Sequence, residues 1–164
     1  FIPLDHWVHG PEGGGRNLGE ACHIYDLFIA LAKAEVTTIS AHAIRPLNAH
    51  YARNDNFVAS FSFAEGSIAN LVYTSQGHKN VSKETAELYV DGKIAVLNDY
   101  NSLIIHGKEK LNLKTRIKNK GLKNELESFA KVIQYGEWTI PWRHQVQVSE
   151  MGFVVEDMLF ERLP

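Results

Sequence analysis

The sequence predicts an α+β fold: an open, largely antiparallel β-sheet with helices packed on one face. Three observations predict it. Apolar residues recur at helical spacing from Asn17 to Lys33. A strand-rich block broken by hairpin turns then runs from about Val36 to Lys114. Helical spacing returns from Leu122 onward. Sequential hairpins favour antiparallel pairing, and a one-sided sheet needs helices to cover its apolar face.

Residues 1 to about 12 read as an extended lead-in, because Pro3 and Pro11 oppose helix. Leu18, Ala21, Cys22, Tyr25, Phe28, Ile29 and Ala32 then follow the 3.6-residue period of one helix face. Asn17 reads as the N-cap and Glu20 as its capping-box partner. Val36 to Ile44 is β-branched and ends at Pro46. Phe57, Ala59, Phe61 and Phe63 alternate with Val58, Ser60 and Ser62, the period of a half-buried strand. Glu65-Gly66 turns the chain, and Ala69, Leu71 and Tyr73 alternate with Ile68, Asn70, Val72 and Thr74. Asp91-Gly92 is a strong hairpin signal, since both residues tolerate positive φ. A further turn surrounds Gly107-Lys108. Leu122, Leu126, Phe129 and Ile133 form an apolar stripe that Gly136 stops. Pro141 opens a last helix carrying Val148, Met151, Val155, Met158 and Leu159.

The 164 residues carry no repeat, low-complexity tract or linker, which fits a single domain over 1–164. The apolar fraction of 45 % and charged fraction of 22 % are those of a globular protein. A formal charge of −2 makes no case for nucleic acid or an anionic membrane, and no apolar run is long enough to span one. A single cysteine, Cys22, fits a reducing compartment, so a cytoplasmic location is expected. The start, Phe1-Ile2-Pro3-Leu4, reads as the middle of a longer protein.

The chemistry concentrates in Gly13-Gly14-Gly15-Arg16-Asn17-Leu18-Gly19-Glu20-Ala21-Cys22-His23-Ile24-Tyr25-Asp26. Glycines let backbone approach a ligand closely. Glu20, His23 and Asp26 fall three apart, on neighbouring parts of one helix face. His23 suits general acid–base work, oriented by Glu20; equally, it reads as a core histidine behind a capping glutamate. Asp26 either supports His23 or bonds locally. Cys22, on the apolar face, reads as a small hydrophobe. His6, His9 and Glu12 match no strong metal pattern. The triple glycine follows no strand of a βαβ unit, so it is no dinucleotide fingerprint, and no cofactor-binding residues are assigned. The polar loop from Ser75 to Glu84 offers Lys79 and Lys83 to hydroxyls or a carboxylate, or is a solvated turn.

The stretch Gly13-Gly14-Gly15-Arg16, then Gly19-Glu20-Ala21-Cys22-His23 and Asp26, resembles the helix that opens the C-terminal domain of the glucose–fructose oxidoreductase / inositol dehydrogenase (Gfo/Idh/MocA) family. The similarity runs on through Asp55-Asn56-Phe57, Phe63-Ala64-Glu65-Gly66-Ser67, and Lys83-Glu84 to Asp91-Gly92. It looks closest to the branch of two-part oxidoreductases found near polysaccharide biosynthesis. The resemblance implies an N-terminal Rossmann domain, outside this chain, that binds NAD or NADP. It implies a C-terminal domain that contacts a sugar, nucleotide sugar or polyol and forms a homo-oligomer through its open sheet. It makes His23 the proton-transfer group and Glu20 its acidic partner, with Arg16, Asp26, Lys79 and Lys83 as candidate substrate contacts. One departure is plain: the family's Asp, four residues before the His, is Gly19 here, and the nearest acid is Glu20. A non-catalytic sugar-binding or oligomerisation module of the same fold is the alternative.

Overall fold

The computed structural model describes residues 2–45 and 50–161. The element order is the expected one: helix, seven strands, two helices. The chain divides into two compact units, Phe1–Gln76 with Ile140–Pro164, and Gly77–Thr139. The strands are hydrogen-bonded as two antiparallel sheets, one in each unit.

The first unit holds β1 (Val36–Ala43), β2 (Asn56–Phe63) and β3 (Ile68–Thr74), in that order across the sheet. Its helices are α1 (Cys22–Ala32) and α3 (Trp142–Leu159). The period-2 pattern of β2 sends Phe57, Ala59, Phe61 and Phe63 inward, and all four are buried. They meet Ala21, Tyr25 and Ile29 from the first helical stretch and Met151, Val155 and Leu159 from α3. Phe61 lies at the centre, its ring 5.2 Å from Tyr25 and 5.9 Å from Phe28. Phe61→Ala is expected to cost about 3–5 kcal/mol of stability through the cavity it leaves. Urea unfolding checks this, and a loss below about 1 kcal/mol would contradict a core built around that ring.

Strand register places Val58 beside His42 and Val72 on the outer face. β1 ends at Ala43; the predicted terminus at Pro46 lies outside the described residues. Pro141 directly precedes α3 rather than forming its first helical residue.

The second unit is a meander of β4 (Thr85–Val90), β5 (Lys93–Asn98), β6 (Ser102–His106) and β7 (Leu111–Lys114), followed by α2 (Leu122–Tyr135). The Asp91-Gly92 turn has φ of 47° and 71°, the double positive φ that a two-residue hairpin favours. Gly136, at φ 71°, stops α2 as its position predicted. The apolar stripe Leu122, Leu126, Phe129 and Ile133 is exposed.

Candidate functional site

The glycine loop is held tightly by its own chain. The Gly10 carbonyl accepts from the Gly13 and Gly14 amides at 3.1 and 3.0 Å. Gly14 and Gly15 then take φ of 65° and 73°, which only glycine adopts without strain. A Cβ on Gly13 would lie 2.4 Å from Val8 backbone atoms, and one on Gly15 would lie 2.0 Å from Asn54 Nδ2. The close approach expected of a ligand is thus made at these two positions by the turn Trp7–His9 and by Asn54.

The chain next makes a π-helical turn, Asn17–Ala21, before α1. Such turns are rare and occur often at functional sites. Asn17 does not cap the helix. It is fully buried, and its Nδ2 donates to the Gly152 carbonyl at 2.9 Å and to Glu156 Oε2 at 2.8 Å. Its Oδ1 accepts from the Tyr25 hydroxyl at 2.5 Å. The capping-box reading fails because this interior network with α3 takes the asparagine amide. Burial, and then the Glu156 charge, push the Tyr25 phenol well above its usual range.

Glu20 turns to the sheet. Tyr73 of β3 donates its hydroxyl to Glu20 Oε2 at 2.5 Å, and Arg16 Nε stands 4.0 Å from the same oxygen. Arg16 Nε is also 3.9 Å from Asp55 Oδ1, so the guanidinium lies between two carboxylates. Burial raises the Tyr73 phenol strongly, and the bond to Glu20 and its charge add to that. A raised phenol favours the folded state below about pH 10, and that stability is lost as pH climbs toward the folded-state value. Tyr73→Phe should therefore flatten the fall in melting temperature between about pH 9 and 11. An unchanged slope would contradict the half-buried hydroxyl bonded to Glu20.

His23 is exposed, so the core-histidine reading fails. Residue 23 points outward because Ala21 and Tyr25 take the core-facing positions of the same turn. Its Nδ1 bonds to the Glu20 carbonyl oxygen, one turn back. A carbonyl only accepts, so Nδ1 carries a ring hydrogen, and in the neutral ring the lone pair then falls on Nε2. Gly19 is exposed, and a Cβ there would lie 2.9 Å from the Gly13 carbonyl oxygen. An aspartate at 19 would push against the glycine loop; the acid falls at Glu20 instead.

Asp26 Oδ1 is 2.7 Å from His144 Nε2, tying α1 to α3. Cys22 is half-buried against the core, as a small hydrophobe should be. His6 and His9 turn apart: His6 Nδ1 accepts from the Val8 amide, while the His9 side chain points inward. Among the described residues no group of three His, Cys, Asp or Glu side chains is arranged to hold a metal ion. Lys79 and Lys83 belong to the second unit and are exposed there. Among the predicted site residues, Arg16, Glu20 and His23 are thus brought together. Tyr73, Asp55 and His144 escaped sequence reasoning as site residues. Tyr73 was legible only as an inward residue of β3, and nothing in local spacing marks His144.

With this geometry in hand, the chain can be set beside known proteins. It superposes on UDP-N-acetylglucosamine 3-dehydrogenase GnnA from Acidithiobacillus ferrooxidans with a TM-score of 0.75 at 16 % identity, over 96 % of this chain and 50 % of that one. It superposes on a levoglucosan dehydrogenase, solved with NADH and levoglucosan, with a TM-score of 0.77 at 17 % identity, over 98 % and 52 %. The WlbA dehydrogenase from Bordetella pertussis, solved with NADH and UDP-GlcNAcA, gives 0.56 at 15 % identity, over 92 % and 44 %. The likeness establishes the fold. The chain spans about half the length of these solved structures. No family model matches the chain, and no curated protein matches it. Among the described residues no helix is long and apolar enough to cross a membrane.

Proposed function

We propose that this chain is the C-terminal, substrate-binding half of an NAD(P)-dependent oxidoreductase of the Gfo/Idh/MocA type, acting on a sugar, nucleotide sugar or polyol. The observation that carries the reading is the exposed His23, with Nδ1 anchored on the Glu20 carbonyl and its lone pair on Nε2. The fold supports it, being shared with half of each of several sugar dehydrogenases.

Every described strand pair is antiparallel, which does not fit the parallel βαβ site of a dinucleotide. The nicotinamide, as hydride acceptor, is therefore assigned to a preceding half. The residues here hold a carbinol, and His23 Nε2 takes its hydroxyl proton as the carbon is oxidised. The Glu20 carboxylate is held by Tyr73 and Arg16, while the Glu20 main-chain carbonyl accepts from His23 Nδ1 and so fixes the ring for proton transfer. Arg16 and Asp26 are proposed substrate contacts in the first unit. Lys79 and Lys83 are proposed to offer cations to substrate hydroxyls or a carboxylate. The setting proposed is cytoplasmic, in polysaccharide biosynthesis. Nicotinamide turnover by the full-length protein across a panel of free sugars, nucleotide sugars and polyols tests the reading. Turnover with a member of the panel is expected; none with any would contradict it.

A homo-oligomer through the outer face of the β1–β3 sheet belongs to the same proposal. That face exposes Val58 by 46 %, Ile68 by 69 % and Val72 by 75 %, more apolar surface than a solvated strand needs. Val72→Arg is expected to shift the protein from oligomer to monomer in analytical ultracentrifugation. An oligomer of unchanged mass would place the interface elsewhere.

A further inference from the structure

Five buried polar side-chain atoms in the first unit have no hydrogen-bond partner among the described residues, and three of them face one another: His9 Nδ1, Arg16 Nε and Asp55 Oδ1. Their side chains are 6 %, 14 % and 3 % exposed. Asp55 Oδ1 stands 3.9 Å from His9 Nδ1 and 3.9 Å from Arg16 Nε, too far for a direct hydrogen bond to either. Buried polar atoms in native proteins are almost always satisfied, by protein or by ordered water.

The far side of each group is already tied down. Asp55 Oδ2 accepts from the Ala52 amide at 2.9 Å. His9 Nε2 lies 3.4 Å from the Ile2 carbonyl oxygen. Since that carbonyl only accepts, Nε2 carries a ring hydrogen, and the neutral form of the ring then presents its lone pair at Nδ1. Two acceptors, His9 Nδ1 and Asp55 Oδ1, therefore face one another across 3.9 Å. The Arg16 Nε–H donor lies the same distance from the carboxylate. No direct pairing satisfies all three.

We propose that His9, Arg16 and Asp55 form a binding site for one buried water molecule. Its oxygen accepts the Arg16 Nε–H, and its two hydrogens go to Asp55 Oδ1 and His9 Nδ1. Atoms 3.9 Å apart can both lie about 2.8 Å from one oxygen. Three bonds is the usual complement of a buried water. The water joins three separate stretches: the lead-in through His9, the end of the glycine loop through Arg16, and the approach to β2 through Asp55. It also sets the Arg16 guanidinium, whose Nε is 4.0 Å from Glu20 Oε2. The water site stands whether or not His23 is catalytic.

Two measurements on the full-length protein decide it. A crystal structure at a resolution that shows ordered water should place one water within about 3.2 Å of all three atoms. Direct contact between His9 Nδ1 and Asp55 Oδ1, with no water between, would overturn the site. Nitrogen NMR of the His9 ring should show its hydrogen on Nε2 and a bare Nδ1. A hydrogen on Nδ1 would remove the acceptor that the water needs and overturn the proposal independently.

Discussion

His23→Ala in the full-length protein is expected to lower kcat about 10²–10⁴-fold, the range that a positioned proton-transfer group supplies. KM should change little, because the lost interaction belongs to the reacting hydroxyl in the transition state. Stability should stay within about 0.5 kcal/mol of the parent, since His23 is exposed and outside the core. Steady-state kinetics paired with urea unfolding separates these effects. A variant with parental kcat would remove His23 from the chemistry; one that loses activity only because it unfolds would make it a structural residue. Glu20→Gln keeps the main-chain carbonyl that anchors Nδ1 but removes the carboxylate that Tyr73 and Arg16 hold. Its loss of kcat should therefore be smaller than that of His23→Ala.

The second large effect concerns the glycine loop. At Gly15 an alanine pays for a φ of 73° and meets Asn54 Nδ2, which donates to Glu156 Oε1 at 2.8 Å. The left-handed backbone costs about 1–2 kcal/mol, and loss of a hydrogen bond to a charged group about 1.5–3 kcal/mol. Gly15→Ala is accordingly expected to destabilise by about 2.5–5 kcal/mol. Gly14 has φ 65°, but a Cβ there would meet only Leu18 at 3.4 Å. Gly14→Ala should cost the backbone term alone, about 1–2 kcal/mol. Unfolding of the two variants side by side checks the contrast. Equal losses would mean that packing of the loop on Asn54 contributes nothing.

These glycines show where sequence reading stops. Three in a row announce that something approaches closely, but not whether it is a ligand or the chain's own Val8 and Asn54. Period-2 spacing located β2 and its inward phenylalanines because one residue of slip would turn every ring outward. Helical spacing placed Ala21, Tyr25 and Ile29 in the core for the same reason, and this left residue 23 outside it. The partners of polar residues were not legible. Asn17 looked like a cap because local rules score the next few residues, whereas its bonds reach Gly152 and Glu156 of α3. Tyr73 to Glu20 and His144 to Asp26 are likewise long-range pairs. The stripe on α2 was readable as a helix from its period, yet a period names a face and not what covers it.

The most direct test is a structure of the full-length protein with NADH and a saccharide that it turns over. The account predicts the reacting hydroxyl oxygen within about 3.2 Å of His23 Nε2, the reach of proton transfer. A saccharide bound with its reacting hydroxyl beyond about 6 Å from that nitrogen, and no water bridging the gap, would contradict it.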